Sequence, residues 1–173
     1  MIDQIHTHSA LLLKQLPKGV FITVKANDTV NTMTIAWGHI GVIWGKAVFI
    51  AYVRYSRYTY DLLLNAKDFT INVPNEGELK EALKIAGTKS GRDINKFKEA
   101  KLTQKKATLI DTPLIKECPL NYECKIIYSQ TLEPALINEA ITKRYYPNHD
   151  THIAFYGEIV AIDYKETVSK NQN

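Results

Sequence analysis

The chain has 173 residues, 45% of them hydrophobic and 23% charged, with a net charge of +4. That size and balance fit a single folded domain over residues 1–173 and exclude a disordered or fibrous chain. No run approaches the ~18 apolar residues of a membrane span. The basic residues are too scattered for a nucleic-acid face, so neither membrane nor nucleic acid is an expected partner.

The opening, MIDQIHTHSALLLKQLP, has an early acidic residue, no basic leader and a short apolar run, and reads as a poor secretory signal. GVFITVKA (19–26) reads as a strand, NDTVN as a turn, and TMTIAWG (32–38) as a second strand. VIWGKAVFIAYV (42–53) contains a third strand, TYDLLLNA has helical pattern, and FTINV (69–73) is a further strand. In NEGELKEALKIAG the apolar Leu79, Leu83 and Ala86 recur at helical spacing, and Gly87 marks the stop. KECPLNYECKIIYSQTL reads as a strand, EPALINEAITKRYY as a helix with Pro134 in its first turn, and HIAFYGEIVAIDY (152–164) as the last strand. The tail, KETVSKNQN, reads as frayed. Strands with few, irregularly placed helices predict a mainly β fold with peripheral helices. The expected form is an antiparallel barrel rather than a doubly wound parallel sheet.

Cys118 and Cys124, six residues apart, would lie roughly 20 Å apart on one strand, beyond the ~7 Å that a disulfide tolerates. They are expected as buried free thiols, which suits a cytoplasmic protein, and two thiols make no zinc set. His6 and His8, and His149 and His152, form short pairs without a third ligand at a matching spacing, so no metal is expected.

The stretch VRYSRYTYDLL (53–63) leaves an apolar strand with Arg54, Ser56, Arg57 and Thr59 gathered near a helix start. One reading is a capped helix with its arginines in water. The other is an anion site built from a helix start, hydroxyls and a forked guanidinium suited to phosphate. In NTMTIAWGHIGVIWG (31–45), alternation puts Thr32, Thr34 and Ala36 on one face and Met33, Ile35 and Trp37 on the other. That is either a plain hairpin or the edge of a site for a flat polar ring, walled by Trp37. In GTKSGRDINKF (87–97), Ser90 and Asp93 resemble a weak capping box, while Gly87 and Gly91 allow backbone close to a ligand. There is no P-loop and no G-x-G-x-x-G, so any nicotinamide must bind without a Rossmann turn. A G-x-S-x-G hydrolase elbow is absent too.

Taken in order, NTMTIAW, WGKAVFIAYVRYSRYTYDLL, SGRDINKF, ECPLNYECK and HIAFYGEIV resemble the flavin reductase-like family, whose FMN-binding split barrel includes the flavoredoxin type. The resemblance covers about residues 19–164. It implies a homodimer holding FMN, with NAD(P)H as co-substrate and a small-molecule or protein electron acceptor. By motif position, Asn31, Met33, Thr34 and Trp37 would border the ring and ribityl chain. Arg54, Ser56, Tyr58 and Thr59 would hold the phosphate, helped by Lys89 and Ser90. No side chain need act as a nucleophile, because the chemistry is the cofactor's. Two activities fit: an NAD(P)H-dependent flavin reductase, or a flavoredoxin-like carrier without nicotinamide activity of its own. Of the adjacent arginines only Arg54 is expected at the phosphate, so Arg54→Ala should cost more FMN affinity than Arg57→Ala. His39 stands where smaller residues are expected, and His152 is open between a place near the nicotinamide and a structural role.

Overall fold

A computed structural model describes residues 1–165; the tail from Glu166 onward lies outside the described residues. Helix α1 (Ile2–Gln15) leads into β1 (Val20–Ala26) and β2 (Thr29–Ile35). Then come β3 (Gly38–Ile43), β4 (Lys46–Arg54), α2 (Tyr58–Leu63), β5 (Asp68–Val73), α3 (Lys80–Thr88) and α4 (Lys96–Glu99). Two-residue strands β6 (Gln104–Lys105) and β7 (Leu114–Ile115) pair with each other, and β8 (Leu120–Thr131), α5 (Glu139–Tyr145) and β9 (His152–Tyr164) complete the described chain.

Seven strands form one antiparallel sheet in the order β2-β1-β5-β8-β9-β4-β3. Its two edge strands, β2 and β3, are consecutive in the chain, joined by Ala36 and Trp37 alone. The three Cα steps from Ile35 to Gly38 reach at most about 11 Å. Both edges must therefore meet there, and the sheet curls into the expected split barrel with helices outside it.

β1 shows why the sheet needs helices on its outer face. Val20, Ile22 and Val24 enter the barrel core with Phe49, Phe69, Ile71 and Tyr122. Phe21 points the other way, into a second cluster with Ala86 of α3 and Phe97 of α4. Leu12 of α1 is fully buried in the barrel core, and Leu16 just beyond the helix joins it. The sequence pattern does not announce α1, because most of its apolar residues crowd its C-terminal half.

Three segments differ in detail from the sequence expectation. VIWGKAVFIAYV is a hairpin rather than one strand: Trp44 and Gly45 both take positive φ (54° and 67°), the turn that matches strand twist. EPALINEAITKRYY breaks into a single 3-10 turn at Pro134–Leu136 and then α5, whose cap Asn138 accepts a bond from the Ala140 N–H. Cys118 lies before β8 and not on it. Both thiols are free and buried, as expected. Among the described residues, no helix is long and apolar enough to cross a membrane, and no three His, Cys, Asp or Glu side chains gather as metal ligands.

β9 crosses β4 and β8 most tightly at Gly157, which pairs with Phe49 and Ile126. A Cβ there would sit 2.5 Å from the Phe69 ring and 2.6 Å from the Cys124 Cβ. Gly157→Ala should therefore destabilise the barrel by about 1–3 kcal/mol, read as a lower urea midpoint at unchanged m-value.

Candidate functional site

A cleft of about 320 Å³ opens where the two sheet edges meet, a size within the range of small-ligand sites. β2 and the crossover supply Met33, Thr34, Ile35, Ala36 and Trp37; β4 supplies Tyr52 and Arg54. The next turn and α2 add Ser56, Arg57, Tyr58 and Thr59, the end of α3 and the loop after it (86–92) form the opposite wall, and His152 at the start of β9 lies at the Trp37 end. Arg54, Arg57, Lys89, Arg92 and Lys96 all line the cleft, and no carboxylate does. Summed positive charge in a concave site raises the local concentration of anions. Such a charge set favours an anion over a cation.

The walls are held by hydrogen bonds made behind the cleft. Thr34 Oγ1 donates to the Leu83 carbonyl (2.6 Å), and Lys96 Nζ to the Ala86 carbonyl (2.8 Å), so both ends of the α3–loop junction are pinned. Asn31 Nδ2 donates to Thr59 Oγ1 (2.9 Å). A Cβ on Gly91 would lie 2.2 Å from Asn31 Oδ1 and 2.8 Å from the Tyr58 ring, so only glycine lets the loop approach so closely. Asn31 thus braces the wall without lining it.

The structure brings together nine of the ten expected residues, all but Asn31, yet engages them unequally. Arg54 donates through Nη1 to the Asp150 carbonyl (2.8 Å) and through Nη2 to the Tyr145 carbonyl (2.9 Å). Ser56 donates to the Asp150 carboxylate from its hydroxyl (2.7 Å) and its backbone N–H (3.1 Å). Arg92 pairs with Asp61 and lies over the Tyr58 ring. Arg57 and Lys89, in contrast, make no side-chain hydrogen bond or ion pair among the described residues. Ser90 Oγ accepts from the Arg92 N–H (3.1 Å) in a local turn. The capping box with Asp93 does not form; α4 starts later, capped by Asn95. α2 has only six residues, too short for a large dipole, so side-chain cations must supply most of the attraction. Trp37, 38% exposed, packs on His152 (4.8 Å between rings) and edge-on to Tyr145 (5.2 Å).

Sequence reasoning missed Arg92, Lys96 and Tyr52. The signal for the first two was present in the basic run KSGRDINK, but only the fold shows that it turns inward. Burial, with the Arg57 cation nearby, lowers the Lys96 amine to about 8. Burial, aided by Arg54 and Arg57 and opposed by Asp150, lowers the His152 imidazole to about 4, so its ring is neutral at physiological pH.

Residues 13–172 match the flavin reductase like domain, and the chain belongs to that family. An uncharacterized protein from Archaeoglobus fulgidus is 31% identical over 111 residues, which cover 64% of this chain and 62% of that protein. The chain therefore spans less than two thirds of that relative's length. Among solved structures, flavoredoxin from Methanosarcina acetivorans is 26% identical with a TM-score of 0.65, over 86% of this chain and 68% of that one. Flavoredoxin of Desulfovibrio vulgaris (Miyazaki F) shares the fold at 24% identity, with a TM-score of 0.66 over 86% and 69% of the two chains.

The buried Lys96 makes stability depend on pH. Its amine loses its proton near pH 8 when folded and near 10.5 when unfolded, so the unfolded chain binds more protons between those values and stability rises with pH there. Removing the amine removes that slope. The stability of wild type relative to Lys96→Met should therefore increase from pH 7 to pH 9.5, measured by urea unfolding of both proteins at each pH.

Proposed function

We propose that this chain is an FMN-binding flavoprotein acting as an NAD(P)H-dependent flavin reductase. The observation that carries the reading is a cleft lined by five cations and no carboxylate, ending at an exposed indole. That donor set fits a phosphate at one end and a flat ring at the other. Arg57 and Lys89, whose side chains have no partner among the described residues, are the first candidates for the phosphate, with Lys96, Ser90 and Thr59 beside them. Met33, Thr34 and Trp37 border the ring end. Charged hydrogen bonds contribute about 1.5–3 kcal/mol each, so three approach the ~8 kcal/mol of micromolar binding.

When bound, FMN supplies the redox chemistry, accepting hydride from reduced nicotinamide and passing electrons to an acceptor. The chain's part is to bind and orient. Trp37 and Met33 keep water from one side of the ring end, and neutral His152 offers a polar atom there without adding charge. The exposed Val42 and Trp44 of the β3–β4 hairpin, together with Tyr128 of β8, which meets Trp44 edge-on, form an apolar surface. Such a surface supports pairing as a homodimer. Two buried free thiols support a cytoplasmic setting. The second reading, a flavoredoxin-like carrier, is favoured by the 26% identity to the Methanosarcina flavoredoxin.

Purified protein incubated with FMN and desalted should stay yellow, and NADH or NADPH added without air should bleach the flavin band. Retained colour without bleaching by either nucleotide selects the carrier; a colourless protein defeats both readings. Arg57→Ala and Lys89→Ala should each weaken FMN by about tenfold or more while changing riboflavin affinity little, as measured by fluorescence titration of both flavins.

A further inference from the structure

The 145–151 loop runs from the last residue of α5, Tyr145, to β9 and ends against the cleft at His152. It is fastened mainly from one place. Arg54 forks onto two of its carbonyls, those of Tyr145 and Asp150, and its guanidinium lies 5.2 Å from the centre of the Tyr146 ring. Ser56 holds the Asp150 carboxylate through two bonds, and the Tyr55 N–H donates to the Thr151 carbonyl. A forked guanidinium bound to two carbonyls fixes both position and orientation, which an ammonium would not.

The loop's own cargo is Tyr146, whose hydroxyl lies 2.9 Å from His152 Nδ1. Tyr146 is 4% exposed, and Nδ1 is the one acceptor its hydroxyl proton finds among the described residues. A phenol that donates to Nδ1 leaves the proton of the neutral imidazole on Nε2. We propose that Arg54 is a positioning residue: with Ser56 and Asp150 it clamps the 145–151 loop so that Tyr146 locks His152 in the tautomer presenting Nε2–H to the cleft. Arg54 then serves the ring end of the site and not the phosphate. The target of that N–H, a ring oxygen or nitrogen of the bound flavin or its co-substrate, rests on the flavin reading above; the clamp itself does not.

The groups facing His152 are the charges of Arg54, Arg57 and Asp150, the phenols of Tyr52 and Tyr146, and the Trp37 ring. Their signs give a test that separates clamp from charge. Protein labelled with nitrogen-15 in histidine is followed by NMR, with His152 assigned by the signal lost in His152→Gln. Wild type should show Nδ1 bare and Nε2 protonated, and Tyr146→Phe should give a mixture of tautomers. Arg54→Lys keeps the charge but loses the fork, and should also mix the tautomers and raise the His152 titration midpoint. Asp150→Ala removes a carboxylate that by charge alone favours the imidazolium, so a pure charge effect lowers the midpoint, whereas a released loop admits water and raises it. A raised midpoint in Asp150→Ala supports the clamp. A lowered one, or a wild-type tautomer retained in Arg54→Lys, overturns it. Should Arg54→Lys not fold, the substitution at the half-buried Asp150 decides alone. Wild type that shows the expected tautomer yet binds no FMN defeats the flavin reading and leaves the clamp intact.

Discussion

The crossover from Ile35 to Gly38 is the constraint on which the rest depends. Two residues carry the chain from one edge of a seven-stranded sheet to the other, and their short reach forces the edges together. Closing the sheet removes most of its exposed edges, which would otherwise invite pairing with other chains. It also creates a seam where backbone pairing stops and a ligand can enter. Trp37 sits in that seam because the crossover has no room to turn a large side chain into the filled barrel core.

Charge at the seam is divided by geometry. Lys96 and Arg92 are tied down, one by a carbonyl and the other by Asp61 and the Tyr58 ring. Arg57 and Lys89 reach into the cleft without partners among the described residues. Arg54, on the last residue of β4, is turned toward the β9 side, because β4 pairs with β9 and places Arg54 opposite His152. Arg54 and Arg57, three residues apart in VRYSR, therefore face different surroundings: one is bonded to carbonyls and the other is without a side-chain partner among the described residues. The buried carboxylate of Glu123 shows the same economy on the structural side. It accepts from the Thr108 and Leu109 N–H groups at 2.7 Å each and fixes the loop packed on β8.

Much of the site was legible as a set of residues and little of it as a set of roles. Hydroxyls and arginines after a strand, a threonine strand beside a tryptophan, and paired glycines each marked a wall. Spacing along the chain could not say that Arg54 bonds carbonyls 91 and 96 residues away, nor that Asn31 stands behind the wall at Gly91. The same limit hid α1, whose apolar residues crowd one end, and placed a capping box at Ser90 where the loop makes a turn instead.

By itself the sequence determined the strand-rich class, most of the strands, the free cysteines and the family resemblance. These follow from local periodicity, turn residues and motif order, which survive without knowledge of neighbours. Tertiary structure decided where the sheet closes, which cations face the cleft without partners, and that the Tyr146 hydroxyl meets His152 Nδ1. Those outcomes depend on contacts between residues distant in the chain and on burial, and neither is encoded in spacing alone.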